Sequence, residues 1–189
     1  MDLINIVLWI LLISNTIVLV LTLKGFSRPL QVERTYNPAM PGAVVALKGA
    51  IKIISHGVYK PFNGNARLGI FTHEAEHYRR ATPIRMLIWN ITTVVAAMFI
   101  PVLFWYGLIG YYIILTYEEV VADLAAARKG RGVAMMEAIE EMYKDAFRGV
   151  PQWRRWLGYT IDALTGHPPL LIRKWYCGLV EKRLRKEVK

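Results

Sequence analysis

In the stretch GIFTHEAEHYRRATP, residues 69 to 83, two histidines stand four residues apart and a glutamate directly follows the first. One turn of α-helix separates residues i and i+4, so His73 and His77 project from one face with Glu74 rotated to one side of them. Two imidazoles so placed can ligate a metal ion while the neighbouring carboxylate handles the proton of a polarised water. This is the H-E-x-x-H arrangement of zinc peptidases. The plain alternative is an amphipathic helix whose His and Glu decorate its surface or fill its core, and the rest of the chain has to separate the two.

A zinc ion that does chemistry takes three protein ligands and keeps a fourth position open. A third histidine in the pattern H-E-x-x-H-x-x-G-x-x-H is excluded, because Tyr78, Arg79 and Arg80 follow His77. A glutamate from a later helix is the other common solution, and EVVAD, Glu119 to Asp123, offers one. Glu119 and Asp123 share a helix face at i and i+4, so Glu119 can bind metal while Asp123 accepts a hydrogen bond from the free N–H of a ligand imidazole. Glu118 lies about 100° around the helix and is the weaker candidate. The competing reading makes Glu118, Glu119 and Asp123 an ordinary solvated face.

The elements that would position these residues are membrane-like in composition. Of 189 residues, 54% are hydrophobic and 20% charged, and the mean hydropathy is +0.30. Residues 3 to 23 run about 21 residues without a charge, roughly the 30 Å of a bilayer core. No basic segment precedes the run and no small-residue cleavage site follows, so residues 1–24 read as an anchor and not a signal peptide. A second uncharged block, Met86 to Thr116, is flanked on both sides by basic residues: Arg79, Arg80 and Arg85 before it, Arg128, Lys129 and Arg131 after it. A single span would put Glu119 on the opposite side from His73 and His77. The block is therefore expected to leave and re-enter on one side as a hairpin, with Pro101 and the Gly107 to Gly110 stretch as places to turn. Its arms, about 15 residues each, would reach some 22 Å, a partial dip.

Between anchor and motif, Pro29, Pro38, Pro41 and Gly42 read as linker, and the β-branched runs Ala43 to Leu47 and Ile51 to Ser55 as a small hairpin. Asn65 is a candidate N-cap for the helix of His73 and His77, which must end before Pro83. After YEEVVADLAAARK come a break at Gly130-Arg131-Gly132, a helix from Met135 to Phe147, and a basic tail interrupted at Gly166-His167-Pro168-Pro169. The fold class expected is mainly α and membrane-anchored, with a helical peptidase-like domain over 25–189, a helical hairpin at 86–116 and a small β-hairpin.

In order along the chain, GIFTHEAEH, apolar helices, EEVVADLAAA and GHPPLLIRK resemble the HtpX and CAAX-prenyl-protease group of integral-membrane zinc metallopeptidases. The resemblance covers most of the chain after the anchor. It implies a gluzincin-type site with Zn2+ held by His73, His77 and Glu119, Glu74 as general base, Asp123 behind a ligand, and His167 with Arg173 near the substrate. His167 and Arg173 are then candidates to donate to the oxyanion, against a plain loop histidine and a structural ion-pair partner. Glu76, where the family more often has a small or polar residue, is expected to pair with Arg80 at i+4.

The formal net charge of +10 is spread among apolar stretches, and Lys24, Arg28 and Arg34 follow the anchor directly. Attraction to anionic lipid headgroups accounts for it better than nucleic-acid binding. The lone Cys177 forms no internal disulfide, which fits a cytoplasmic catalytic face. Expected partners are membrane lipids and protein or peptide substrates, with homo-oligomerisation open. His56 reads as a turn residue, and the strand Ala43 to Leu47 could present its edge to an extended substrate, with a plain core strand as the alternative. The rival readings are a sensor-type membrane metallopeptidase that cleaves a repressor, and a non-enzymatic membrane adaptor.

Overall fold

The structure is a computed structural model that describes residues 3–27, 31–36, 42–45, 50–55, 64–164 and 166–187. It is mainly helical. Seven helices are described: α1 Leu3–Phe26, α2 Gly64–Arg79, α3 Thr82–Phe99, α4 Leu103–Arg128, α5 Gly132–Ala146, α6 Gln152–Leu164 and α7 Leu170–Glu187. Three strands, β1 Gln31–Tyr36, β2 Gly42–Val45 and β3 Ala50–Ser55, form one sheet in the order β1-β3-β2. The expected hairpin is the antiparallel β2–β3 pair. β1, read from its flanking prolines as linker, instead pairs parallel with β3. The sheet lies against α2 through β2 and β3. His56 falls outside the described residues.

α1 and α3 are long and apolar enough to cross a membrane. They pack antiparallel: Leu8 meets Val94 and Ala97 near the end of α3, and at the other end Phe26 stacks on Tyr78 of α2, just ahead of the corner into α3, ring centroids 4.8 Å apart. Ile10, Ile13, Ile17 and Val20 on α1, and Ile109 and Ile113 on α4, face outward with more than half of their surface open.

α3 and α4 form the helical hairpin, and the chain reverses at Ile100–Val102 around Pro101. Gly107 and Gly110 turn nothing. They lie inside α4 and let the two helices approach: a Cβ on Gly107 would come within 2.0 Å of Thr93 Cγ2, and one on Gly110 within 2.4 Å of Trp89 Cζ2. The close approach brings Trp89 Nε1 to donate to the Gly107 carbonyl at 2.9 Å. The arms also outrun the expected 22 Å. α3 starts at Thr82, ahead of the uncharged block, so its 18 residues reach about 27 Å, and α4 continues unbroken past Thr116 into EEVVADLAAAR.

α2 begins at Gly64, so Asn65 lies inside its first turn and is not its cap. It ends at Arg79, and Ala81 in the left-handed region (φ 51) makes the corner into α3, with Pro83 in the first turn. This corner sits on Glu118, which is fully buried and not solvated as a surface acid would be. Arg80 donates Nε and Nη2 to it at 2.7 and 2.9 Å, Thr82 Oγ1 donates at 2.9 Å, and Arg85 Nη1 at 2.5 Å. Arg80 is thereby taken from Glu76, which pairs instead with Arg79 at i+3. The open ends of the hairpin, with their basic flanks, therefore lie together.

The core of the other half gathers Ala126 and Ala127 of α4, Met135 and Met136 of α5 and Cys177 of α7. Small residues on α4 let α5 and α7 close on it. Glu181 of α7 accepts the Val133 N–H at the start of α5, 2.9 Å away, where a helix leaves N–H groups without intrahelical partners.

Candidate metal centre

α2 turns Ala66, Gly69, Thr72, His73 and His77 inward, a set spaced by three, four or seven residues as one helix face requires. α4 turns Glu119, Ala122, Asp123 and Ala126 toward that face. His73, His77 and Glu119 are all buried, and one ligand atom of each lies within 4.8 Å of the other two. The two Nε2 atoms are 3.1 Å apart. Glu119 Oε2 is 3.4 Å from His73 Nε2, and Oε1 is 3.2 Å from His77 Nε2. Two imidazole nitrogens and a carboxylate thus converge on one point. The solvated-face alternative fails at all three acids, since Glu118 and Asp123 are fully buried and Glu119 nearly so.

His73 Nδ1 lies 2.9 Å from Asp123 Oδ1. With its proton directed there, the ring presents Nε2 to Glu119 and His77, which is how a carboxylate behind a ligand fixes the tautomer. Asp123 is itself held: Arg173 donates Nε and Nη2 to its two oxygens, both at 2.7 Å, and the Tyr176 hydroxyl donates to Oδ2.

Charge explains why a cation suits the centre. Burial opposes ionisation of Glu119, but hydrogen bonds from His73 and His77 outweigh it and hold the carboxyl below the usual range. Burial likewise opposes charge on His73, yet hydrogen bonds to Asp123 and Glu119 and their charges push its pKa up to about 10. Arg173 balances Asp123, and the second proton these acids hold on His73 balances Glu119, so a cation bound there would take that proton's place. Glu119 Oε2 is buried with no nitrogen nearer than the 3.4 Å of His73 Nε2 and His167 Nε2, and His77 Nδ1 is buried without a hydrogen-bond partner among the described residues. A nitrogen, nitrogen, carboxylate donor set converging in this way fits a zinc-type dication.

His167 follows α6 and reaches the same carboxylate, its Nε2 3.4 Å from Glu119 Oε2 and its Nδ1 3.3 Å from Asp162 Oδ1. Its side chain is 35% exposed. Arg173 takes the other of its two expected roles. It is buried and its Nη2 stands 3.7 Å from Glu119 Oε2, but its guanidinium is committed to Asp123 as an ion-pair partner. Glu74 is half-buried on α2 beside His73.

Tyr176, the Glu118 cluster and Asp162 were not singled out from the sequence. Tyr176 had one available signal, its place three residues after Arg173 on a helix, where both can reach one acceptor. Asp123→Asn is expected to weaken zinc binding by roughly 10–100-fold, the usual cost of losing an outer partner, and Tyr176→Phe by less. Isothermal titration with zinc on both variants checks the order. No protein-family model, curated protein or solved structure matches the chain, so the centre is read from its own geometry.

Proposed function

We propose that the chain is a membrane-bound zinc endopeptidase of the HtpX and CAAX-prenyl-protease type, acting at the cytoplasmic face on membrane-associated or misfolded proteins. The observation that carries this reading is the convergence of His73 Nε2, His77 Nε2 and both Glu119 oxygens, with Glu74 next to the first ligand. A zinc ion bound there supplies a Lewis acid that lowers the pKa of water toward ~7 and polarises the scissile carbonyl. Glu74 takes the proton of the attacking water and later delivers it to the leaving amine. His167, the half-open imidazole beside Glu119, donates to the carbonyl oxygen as it gains charge. Asp123, Arg173 and Tyr176 keep His73 in place. β2, at the sheet edge and against α2, pairs with the extended substrate through its backbone, so that side-chain specificity is low.

Hydrolysis of casein by the purified full chain, with and without a chelator, tests the reading. Cleavage that the chelator abolishes and added zinc restores is expected. Chelator-insensitive cleavage, or none with zinc bound, would overturn it and favour the adaptor.

Membrane topology is a separate expectation. With α1, α3 and the first part of α4 in the bilayer, the basic ends Lys24, Arg79 and Lys129 share the cytoplasmic side. Cys177 is fully buried, and burial and the Asp123 charge push its thiol up to about 12, so it resists labelling. Arg79→Cys and Lys129→Cys, each in a Cys177→Ala background, are expected to label from the same side of oriented vesicles. Labelling from opposite sides would remove the hairpin topology and the cytoplasmic assignment with it.

A further inference from the structure

Helix α6 presents two different sides. At 100° per residue, Gly158, Tyr159 and Asp162 fall on one and Trp153, Trp156 and Leu157 on the other. The first side leans on Tyr143 of α5 and on Phe147 just after it: the Tyr159 ring, itself 46% exposed, lies 5.2 Å from that of Phe147 and 5.7 Å from that of Tyr143, and a Cβ on Gly158 would come within 2.6 Å of Phe147 Cζ. The second side is open, with Trp153, Trp156 and Leu157 exposed by 61, 65 and 51%. Arg154, about 60° from Leu157 by the same count, is exposed at its edge, and its guanidinium carbon stands 5.0 Å over the Trp153 ring; Arg155 falls on the other side, its Nε donating to the Val150 carbonyl at 2.8 Å.

Two tryptophans and a leucine turned outward together are costly in water and call for a cover. The arginine laid over one of the rings selects an anionic one. Tryptophan with arginine is the pairing that suits the headgroup layer, where the indole is half in hydrocarbon and the guanidinium meets phosphate. The height of the helix agrees. Gly166, in the loop after α6, has φ +91, and a Cβ there would lie 2.5 Å from Leu115 Cγ. Leu115 belongs to the last turn of the uncharged block that ends at Thr116, so the loop ties α6 to the level where the apolar surface of the hairpin stops.

We propose that α6 is an interfacial helix that lies on the anionic surface of the bilayer, with Trp153, Trp156 and Leu157 in the headgroup layer and Arg154 on lipid phosphate. The inference rests on the membrane part of the proposed function and is independent of peptide cleavage. Docking also has a consequence for the metal centre. Asp162, on the packed side, is 3.3 Å from His167 Nδ1, so a helix held on the membrane holds the loop that carries His167.

The test places an environment-sensitive fluorophore on Leu157→Cys in a Cys177→Ala background of the full chain, reconstituted in vesicles of phosphatidylcholine with or without phosphatidylglycerol. Matching labels go at Lys144, on the exposed face of α5, and at Ile109, on the outward face of the hairpin. In phosphatidylglycerol vesicles the label at 157 is expected to be quenched several-fold more by a shallow lipid nitroxide than the label at 144, and to be shielded from aqueous iodide. Arg154→Gln lowers that quenching to the level found in phosphatidylcholine. Iodide reaching 157 and 144 equally, with 109 still quenched by lipid, overturns the interfacial helix and leaves the membrane reading intact. Self-quenching at 157 without lipid quenching overturns it in favour of a second copy. Failure of lipid quenching at 109 overturns the membrane reading and this inference together, and casein cleavage, read separately, bears on neither.

Discussion

Glu74→Gln is expected to reduce proteolysis by on the order of 10²–10⁴-fold, the usual worth of a general base, with zinc content and thermal stability unchanged. Geometry separates the two roles. The converging ligand atoms come from His73, His77 and Glu119, and Glu74, one residue on from His73, points about 100° away around α2. A glutamine keeps the shape of the side chain and removes its charge and its capacity to take a proton. Casein cleavage and metal content measured on the same preparation check both halves. Zinc loss comparable to that of His73→Ala would make Glu74 a ligand, contrary to the role given to it here.

Glu119→Ala is expected to cost more in zinc affinity than loss of an outer partner, so beyond about 100-fold, whereas Glu118→Ala leaves affinity within a few-fold. The two adjacent acids face different neighbours. Glu119 meets both imidazoles, and Glu118 meets Arg80, Thr82 and Arg85 at the α2–α3 corner. The cost of Glu118→Ala therefore appears as stability. Losing one partner of a buried ion pair costs ~3–5 kcal/mol, but Arg80 and Arg85 keep 21 and 47% of their side chains in solvent, so about 2 kcal/mol is expected in a melt. Zinc titration beside thermal denaturation separates the two. Equal affinities, or the larger loss at Glu118, would mean that α4 is rotated from the register described.

Local periodicity made much of the centre legible. His73 with His77, and Glu119 with Asp123, are pairs one helical turn apart, and any helix through them puts each pair on one face. The hairpin was legible from a topological demand, because Glu119 cannot meet the histidines unless the chain comes back. What remained hidden depends on where separate elements meet. Glu118 looked like the dispensable neighbour because its partners belong to a corner set by Ala81 in the left-handed region, and nothing local announces that corner. Gly107 and Gly110 looked like turn formers because a glycine needed for close helix packing and one needed for a turn read alike in sequence. β1 carries charged residues between prolines and pairs only through β3, a partner far along the chain. Arg173 could be placed near the centre, but its choice of Asp123 depends on the approach of α7 to α4.

The central claim is that His73, His77 and Glu119 together hold zinc. X-ray absorption at the zinc edge, with metal stoichiometry, on the purified full chain tests it most directly. About one zinc per chain is expected, with two imidazoles and carboxylate oxygen at ~2.0–2.2 Å, and loss of that signal in His73→Ala and Glu119→Ala while Glu74→Gln retains it. A chain that purifies and remains folded without stoichiometric zinc after zinc supplementation, or a zinc shell unchanged by Glu119→Ala, would contradict it.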